Sequence, residues 1–237
     1  MLGRFLEVSV HSPDVPASLA FYESLGFAQA VTGDARSHAY AVVTDGRLCL
    51  GLHGAGDDEA TLTWVHPELA THAPRLEALG IDLEVARLGA EELHELGFLD
   101  PAGQRVSLLE ARTFSPPIAP ASPSRLGYFQ EFGIPTPDLE RSAAFWDALG
   151  LVAFEPVRTS FTKVVVAGRD LNLGLYDLDL RKPVLTFSDP AMPARVAALR
   201  EQGLRFAERL PRGLSAREHA MLVAPEGTCL LLTTGEE

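Results

Sequence analysis

The first residues of the chain alternate between apolar and polar side chains. Leu6, Val8 and Val10 share one face of residues 4–11, which is the pattern of a half-buried β-strand. Asp14 then stands where a helix would begin, and Gly26 stands where it would end. Between these two residues the apolar positions recur at about helical spacing, at Leu19, Tyr22 and Leu25. The pattern therefore predicts a strand followed by an amphipathic helix.

A similar pattern extends through the first half of the chain. Segments bounded by turn residues predict three more strands, near residues 28–33, 37–44 and 47–53. A second unit then follows the same plan, with a strand at 61–66, a helix at 68–79 before Gly80, and strands near 81–87, 94–99 and 104–110. The first half is thus predicted to contain two βαβββ units.

The second half of the chain repeats the first at an offset of 124 residues (138 − 14). The aromatic pair before the end of the first helix recurs in the second half, as Phe21-Tyr22 and Phe145-Trp146. The turn Asp-Pro-Ala-Gly at 100–103 recurs as Ala-Pro-Glu-Gly at 224–227. Such internal similarity indicates duplication of a supersecondary unit. We therefore predict two similar α+β domains with four βαβββ units in total.

A proline-rich segment separates the two halves. Residues 114–125 contain four prolines, at Pro116, Pro117, Pro120 and Pro123. Prolines this close together suppress both helix and central strand, so the segment is predicted to be a semi-extended linker. This prediction places the first domain at residues 1–113 and the second at residues 126–237.

The repeated motifs resemble those of the vicinal oxygen chelate superfamily. They comprise a strand, an aspartate that opens a helix, a Phe-aromatic pair, Leu-Gly at the helix end and a later Asp-Pro-x-Gly turn. That superfamily includes glyoxalase I, bleomycin-resistance proteins, fosfomycin-resistance enzymes and extradiol dioxygenases. The resemblance covers both halves of the chain. It implies an α+β fold of two tandem glyoxalase-like domains, each a cup-shaped mixed sheet with helices on the convex face and a pocket in the concavity.

Metal-using members of that superfamily place carboxylates and histidines at inward-facing strand positions. Seven residues before the helix-opening aspartate, this sequence has Glu7 in the first half and Glu131 in the second (14 − 7 and 138 − 7). The remaining ligand positions hold weak donors or none, namely Gly51, Thr61 and Ser107 in the first half and Gly174, Val184 and Leu231 in the second. One carboxylate cannot hold a divalent cation with useful affinity. We therefore predict a metal-free protein without a cofactor.

Two uses of the retained glutamates stay open. An unusual metal site could use Glu7, His11 and His53, whose positions have inward parity on their strands. Without a metal, Glu7 and Glu131 are candidate general bases or hydrogen-bond acceptors for a ligand. The complete set of predicted ligand-binding residues is Glu7, Ser9, His11, Cys49, His53, Ser107, Glu131, Asn172 and Tyr176.

Three functions are consistent with these residues. The first is a metal-free protein that binds or sequesters a small organic molecule in its cups, as bleomycin-resistance proteins do. The second is a metal-dependent glyoxalase, lyase or dioxygenase that uses the unusual donors. The third is an interaction module whose cups are filled by side chains, for which Leu231 and Phe129 facing into the second cup would be the evidence.

Composition and short motifs indicate the partners, the cellular location and the cofactors to expect. The formal net charge of -12 disfavours nonspecific attraction to nucleic acid or anionic membranes. Cys49 and Cys229 have no pairing pattern, and neither a signal peptide nor a transmembrane run is evident, so we predict a cytoplasmic protein. No glycine-rich phosphate-binding motif follows a strand, which gives nucleotide cofactors no support. The expected assembly is a monomer with paired domains or a homodimer.

Overall fold

The computed structural model describes residues 1–31, 37–111 and 124–235. Its first domain contains two units in sequence. The first unit comprises β1 (Arg4–His11), α1 (Val15–Ser24), β2 (Ala28–Ala30), β3 (Tyr40–Thr44) and β4 (Cys49–His53). The second unit comprises β5 (Thr61–His66), α2 (Leu69–Ala78), β6 (Val85–Arg87), β7 (Glu95–Leu99) and β8 (Arg105–Glu110). Both predicted βαβββ units of the first half are therefore confirmed.

The second domain follows the same order with two differences. Its first unit comprises β9 (Tyr128–Pro135), α3 (Leu139–Ala148), β10 (Val152–Ala153), β11 (Val157–Arg158), β12 (Thr162–Ala167) and β13 (Asn172–Asp177). Its second unit comprises β14 (Val184–Ser188), α4 (Met192–Glu201), β15 (His219–Val223) and β16 (Cys229–Thr233). The strand that should follow α4 is reduced to a single bridge between Phe206 and Leu222. The fourth unit is thus incomplete.

Each domain forms one mixed sheet. In the first, the strand order is β2-β3-β4-β1-β5-β8-β7-β6. In the second, the order is β10-β12-β13-β9-β14-β16-β15, with β11 paired to β12. Within each unit the last strand runs parallel to the first and lies beside it, as β4 does to β1, whereas the two units meet through the antiparallel pair β1 and β5. The two glutamate-bearing strands β1 and β9 therefore lie at the centre of their sheets.

The first helix of each domain begins and ends as the sequence predicts. The side chain of Asp14 accepts a hydrogen bond from the backbone amide of Ala17 at 3.0 Å, and Asp138 accepts one from Arg141 at the same distance. These bonds satisfy backbone amides that have no partner within the helix. Shortly after the helix end the chain turns through positive φ at Gly26 (89°), a conformation that glycine adopts without a steric cost.

The two domains pack against each other through reciprocal contacts. Trp146 of α3 donates from Nε1 to Asp100 of the first domain at 3.1 Å. Tyr22 of α1 donates from its hydroxyl to Glu226 of the second domain at 2.6 Å, and burial together with Glu226 raises the pKa of Tyr22. One apolar core contains residues from both halves. The helices thus join the domains while the opposite face of each sheet forms a cup.

Some sequence predictions fall outside the described residues or need adjustment. Residues 114–123 of the linker predicted at 114–125 lie outside the described residues, as does the end of the strand predicted at 28–33. The strand predicted at 81–87 begins only at Val85, because residues 81–84 are not paired with a neighbouring strand as β-structure. Among the described residues, no helix has the length and apolar character needed to cross a bilayer.

Candidate functional site

The concave face of the first sheet encloses a cavity of about 460 Å³. Alternate residues of β1 point into it because successive side chains of a strand lie on opposite faces. The polar residues that line its floor come from four strands of the sheet: Glu7, Ser9, His11, His53, Thr61, Thr63 and Ser107. The structure therefore brings together most of the residues predicted for the first cup.

Glu7 is the centre of this polar floor, and it is only 1% exposed. Its Oε1 accepts hydrogen bonds from the hydroxyl of Ser9 at 2.9 Å and from Nε2 of His53 at 2.7 Å. Its Oε2 accepts one from the hydroxyl of Tyr40 at 2.7 Å. A buried carboxylate requires such donors because it has lost its water. Three protein groups thus hold the Glu7 carboxylate in one orientation.

The hydrogen bonding continues outward from His53. Its Nδ1 lies 3.1 Å from Nε2 of His38. When Glu7 is ionised, Nε2 of His53 carries the proton that it donates, so Nδ1 of a neutral His53 must accept from His38. The arrangement is a carboxylate–imidazole–imidazole chain that runs from the floor of the first cup toward its edge.

Glycine at position 51 makes room for this carboxylate. A Cβ atom built on Gly51 would collide with the carboxyl group of Glu7, and one built on Gly174 would lie 2.7 Å from the carboxyl carbon of Glu131. The position at which the superfamily resemblance implies a metal ligand is therefore filled by the glutamate itself. A ligating side chain at either glycine would require the glutamate to move.

The second cup has a buried glutamate at the same register with different partners. Glu131 is 3% exposed and accepts hydrogen bonds on Oε1 from Nζ of Lys163 at 2.8 Å and from the hydroxyl of Tyr176 at 2.7 Å. The Tyr176 hydroxyl also lies 2.9 Å from that of Thr186. Burial and the neighbouring Glu131 raise the pKa of Tyr176, so its hydroxyl stays protonated as a donor. A lysine thus neutralises this carboxylate within the protein.

Apolar side chains fill the rest of the second cup. Its buried cluster consists of Tyr176, Leu178, Val184, Met221 and Leu231, and further apolar residues pack on it, including Phe161, Leu210 and Leu214. Leu210 and Leu214 belong to the segment 204–218, which replaces the missing strand of the fourth unit. A hydrogen bond from Ser160 to the carbonyl of Gly213 fixes this segment over the cup.

The prediction that Phe129 faces into the second cup is wrong. Phe129 packs in the shared core against Phe187, with ring centroids 5.5 Å apart. Simple alternation from Glu131 would place Phe129 in the cup. The register of β9 shifts between the partners of Thr186 and Phe187, and this bulge turns Phe129 to the opposite face.

The residues of the first cup do not fit a metal site of the kind that the resemblance implies. Glu7 and His53 are in contact, but His11, the third member of the predicted donor set, directs Nδ1 to Asp58 at 2.9 Å. Across residues 1–31, 37–111 and 124–235, no three His, Cys, Asp or Glu side chains are grouped so that they could hold a metal ion. The Glu7 carboxylate instead has hydroxyl and imidazole donors.

Three other predicted site residues lie away from the hydrogen bonds that hold the two glutamates. Ser107 lines the first cup and donates to Glu95 at 3.1 Å. Cys49 lies on the same face of β4 as His53, where burial, with smaller contributions from Glu7 and Asp45, raises its pKa to about 11. Asn172 is exposed at the start of β13, and no hydrogen bond joins it to Glu131 within the described chain.

Several residues of the two sites were not predicted from the sequence. Tyr40 and Lys163 occupy equivalent positions, since Tyr40 pairs with His53 between β3 and β4, and Lys163 pairs with Tyr176 between β12 and β13. His38 was missed as well. The signal that could have found Tyr40 is the hairpin register, counted back from the turn at residues 45–47.

The lining of the first cup is acidic. Its described residues include five carboxylates, from Glu7, Asp57, Glu59, Glu84 and Glu95, and two arginines, Arg87 and Arg105. Arg87 pairs with Glu95 at 2.9 Å, and Arg105 pairs with Glu59 at 3.1 Å. The arginines are therefore already engaged with carboxylates, and the field in the cup favours a cation.

A smaller cavity of about 280 Å³ lies between the domains. Its walls include Val8 from the first domain and Phe132 from the second. Of its carboxylates, Glu226 accepts from Ser18 and Tyr22, and Asp58 is bonded to His11. The Glu226 bonds join the two domains, and the His11–Asp58 bond lies within the first domain. Because these carboxylates already have protein partners, the first cup is the stronger candidate site.

No family model matches the sequence, and no curated protein sequence is similar to it. Solved structures do match. A catechol 2,3-dioxygenase superposes with a TM-score of 0.62 at 17% identity, over 100% of this chain and 88% of its own. A 2,2',3-trihydroxybiphenyl 1,2-dioxygenase from Sphingomonas wittichii strain RW1 superposes with a TM-score of 0.63 at 15% identity, over 99% of this chain and 91% of its own.

A mutant homoprotocatechuate 2,3-dioxygenase from Brevibacterium fuscum superposes with a TM-score of 0.64 at 16% identity, over 99% of this chain and 72% of its own. Likeness at this level of identity establishes the fold, and the fold does not determine the activity. The chain has the tandem fold of the extradiol dioxygenases, as the resemblance to the vicinal oxygen chelate superfamily implies.

Proposed function

We propose that this protein, which has the tandem vicinal oxygen chelate fold, binds a small organic molecule in its first cup without a metal ion. The second cup, in this proposal, is a structural element. The observation that carries the proposal is the contrast at equivalent positions: the first cup is an open cavity of about 460 Å³ around Glu7, whereas apolar side chains fill the second around Glu131.

The size and lining of the first cup support a ligand of fragment size. Cavities of roughly 300–1,000 Å³ with a few convergent polar groups are typical of small-molecule sites. Glu7, Ser9 and Thr63 supply the polar groups, and Val85 and Leu109 supply part of an apolar wall. Sequestration or sensing of the ligand needs no further chemistry from the protein.

The experiment is a ligand-observed NMR screen of a fragment collection against the full chain, repeated with a variant in which the first cup is filled. Thr61→Val combined with Ser107→Leu gives the first cup the residues of Val184 and Leu231 in the second. Fragments that bind the wild-type protein should lose at least tenfold in affinity with this variant. Glu131→Gln, in the closed cup, is the matched control and should leave fragment binding unchanged. A collection without any binder, or binding that is insensitive to cup filling, would refute the proposal.

A metal-dependent enzyme is the weaker proposal. Its support is the fold shared with ring-cleaving dioxygenases, but the donor geometry around Glu7 and His53 lacks a third metal ligand from His11. Elemental analysis of the purified protein after mild dialysis tests the point. One divalent ion per chain, lost on Glu7→Gln substitution, would overturn the metal-free proposal.

The proposal also includes a cytoplasmic location and a monomeric state, which rest on other features of the chain. Both cysteines are unpaired, which fits a reducing compartment such as the cytoplasm. The contacts of Trp146 and Tyr22 across the domains fit a monomer whose two domains act as one unit. Cell fractionation and light scattering test these two expectations.

A further inference from the structure

The second cup contains a cation that is part of the protein. Nζ of Lys163 lies 2.8 Å from Oε1 of Glu131, in a cup whose other described side chains are mostly apolar, and the lysine side chain is 31% exposed. A charge-assisted hydrogen bond of this kind compensates the desolvation of a buried carboxylate. The second cup thus shows what the fold places beside this glutamate when no space is left for a ligand: a primary ammonium group.

The first cup has the glutamate but no lysine at the equivalent position. Tyr40 occupies the place of Lys163, and its hydroxyl donates to Glu7 without carrying a charge. His53 provides a positive charge only when it is protonated, whereas a lysine is protonated throughout the neutral pH range. The buried charge of Glu7 is therefore not permanently balanced by the side chains that hold it.

Glu7 also retains the capacity to accept a further hydrogen bond. A carboxylate offers about four acceptor positions. Among the described residues, Oε1 accepts from Ser9 and His53, and Oε2 accepts from Tyr40 alone. One position on Oε2 is left, in a side chain that lines the cavity. An ammonium group with three N–H donors can use this position and still reach a neighbouring hydroxyl.

The surroundings of Glu7 select for the same kind of ligand. Among the described residues of the lining, the carboxylates outnumber the arginines by five to two, which attracts a cation into the cavity. Val85, Leu93 and Leu109 add an apolar wall that can contact a hydrocarbon body. A small inorganic cation would leave this wall unused.

We propose that the first cup binds a small molecule with a primary ammonium group, which donates to the remaining acceptor position on Oε2 of Glu7, beside the Tyr40 hydroxyl. The apolar body of the molecule lies against the wall at Val85 and Leu109. This inference rests on the proposed function, because it names the ligand class of the same cavity. Its basis is the difference between the charged Lys163 beside Glu131 and the neutral Tyr40 beside Glu7.

The test compares two probes of nearly equal shape, 2-phenylethylamine and 2-phenylethanol, by titration calorimetry with the full chain at pH 8. The amine is protonated at this pH and the alcohol is neutral. The wild-type protein should bind the amine at least tenfold more tightly than the alcohol, and added salt should weaken only the amine. Equal affinity for the two probes would overturn the inference.

Two variants locate the preference at Glu7. Glu7→Gln keeps the size of the side chain and should reduce the preference for the amine to about twofold or less. Tyr40→Lys gives the first cup the internal ammonium of the second, and it should abolish the preference for the amine because the lysine balances the charge of Glu7. Glu131→Gln is the matched control and should keep the full preference. A preference that persists in both first-cup variants would also overturn the inference.

The remaining outcomes separate this inference from the proposed function. If neutral fragments bind and the Thr61→Val, Ser107→Leu variant blocks them, while amines gain no advantage, the cup is a binding site for another class and only the inference fails. If no probe of any class binds the first cup, both fail together. Circular dichroism confirms that each variant is folded before it is compared.

Discussion

The two cups share the same strands and a buried glutamate at the same register, yet one is open and the other is closed. At equivalent positions the first cup has His53, Thr61 and Ser107, and the second has Tyr176, Val184 and Leu231. The exchanges convert polar side chains that line a cavity into apolar ones that fill it. A duplicated fold can thus keep one copy as a site and use the other as core.

The segments that follow the second helix of each domain also differ: the one in the first domain leaves its cup open, and the one in the second domain packs onto its cup. In the first domain, Val85–Arg87 forms β6 at the sheet edge, and Leu93 beyond it is 60% exposed. In the second domain, the corresponding segment packs Leu210 and Leu214 onto the apolar cluster. An apolar floor gives the loop something to pack against, because buried apolar area stabilises the packed conformation. The polar floor of the first cup offers no such gain.

The largest expected effect comes from opening the second cup. Leu231→Ala removes a side chain that is 2% exposed in the apolar cluster, and we expect a loss of about 3 kcal/mol in the free energy of unfolding. Ser107→Ala, the equivalent change in the first cup, should cost roughly 0.5 kcal/mol because Ser107 lines a cavity. Urea denaturation measures both. Equal losses would mean that the two cups do not differ in packing.

Removing the internal cation should have the next largest effect. Lys163→Met leaves Glu131 buried with only the Tyr176 donor, and we expect a loss of about 2 kcal/mol, less than for a fully buried pair because Lys163 is 31% exposed. The double variant with Glu131→Gln should recover most of that loss. If the double variant is no more stable than Lys163→Met, the ion pair does not account for the cost.

A smaller effect is expected at the equivalent position of the first cup. Tyr40→Phe removes one neutral donor from Glu7 while Ser9 and His53 remain, so we expect a loss of about 1 kcal/mol by the same denaturation measurement. The difference between this variant and Lys163→Met measures how much charge balance, rather than hydrogen bonding, contributes in the closed cup. A larger loss for Tyr40→Phe would reverse the comparison.

The smallest effect reports the charge on Glu7. The pKa of Cys49 is raised to about 11 from 9.0, so at pH 8 its thiolate fraction and alkylation rate should be roughly 100-fold lower than those of an unperturbed thiol. Because the Glu7 charge contributes to this rise, Glu7→Gln should increase the rate of iodoacetamide modification. Mass spectrometry in a Cys229→Ser background follows Cys49 alone. An unchanged rate would indicate that Glu7 does not contribute to the raised pKa of Cys49.

Counting positions in the sequence located the centre of each site. The seven-residue spacing to Asp14 and Asp138 identified Glu7 and Glu131, and the same register identified Gly51 and Gly174 as positions without donors. These assignments place on this sequence the ligand positions that the resemblance to the vicinal oxygen chelate superfamily implies. The internal repeat made each assignment testable against its copy.

The same counting failed where a strand departs from its ideal period or where distant strands must be aligned. Phe129 was assigned to the wrong face because the bulge in β9 has no local sequence signature. Tyr40 and Lys163 were missed because their contacts with the glutamates depend on pairing across three strands. His11 was grouped with Glu7 by parity, but a partner from a distant loop, Asp58, holds its ring.

The sequence by itself determined the duplication and the α+β units, because these follow from local periodicity and repeated motifs. The resemblance to the superfamily added the register of Glu7 and Glu131 on the first strand of each half. Only the tertiary structure decided which cup is open. That outcome depends on how Leu210 and Leu214 pack over Tyr176 and Leu231, and such packing joins residues far apart in the chain. Long-range packing has no counterpart in the local pattern, so the difference between a cavity and a core becomes visible only in the folded molecule.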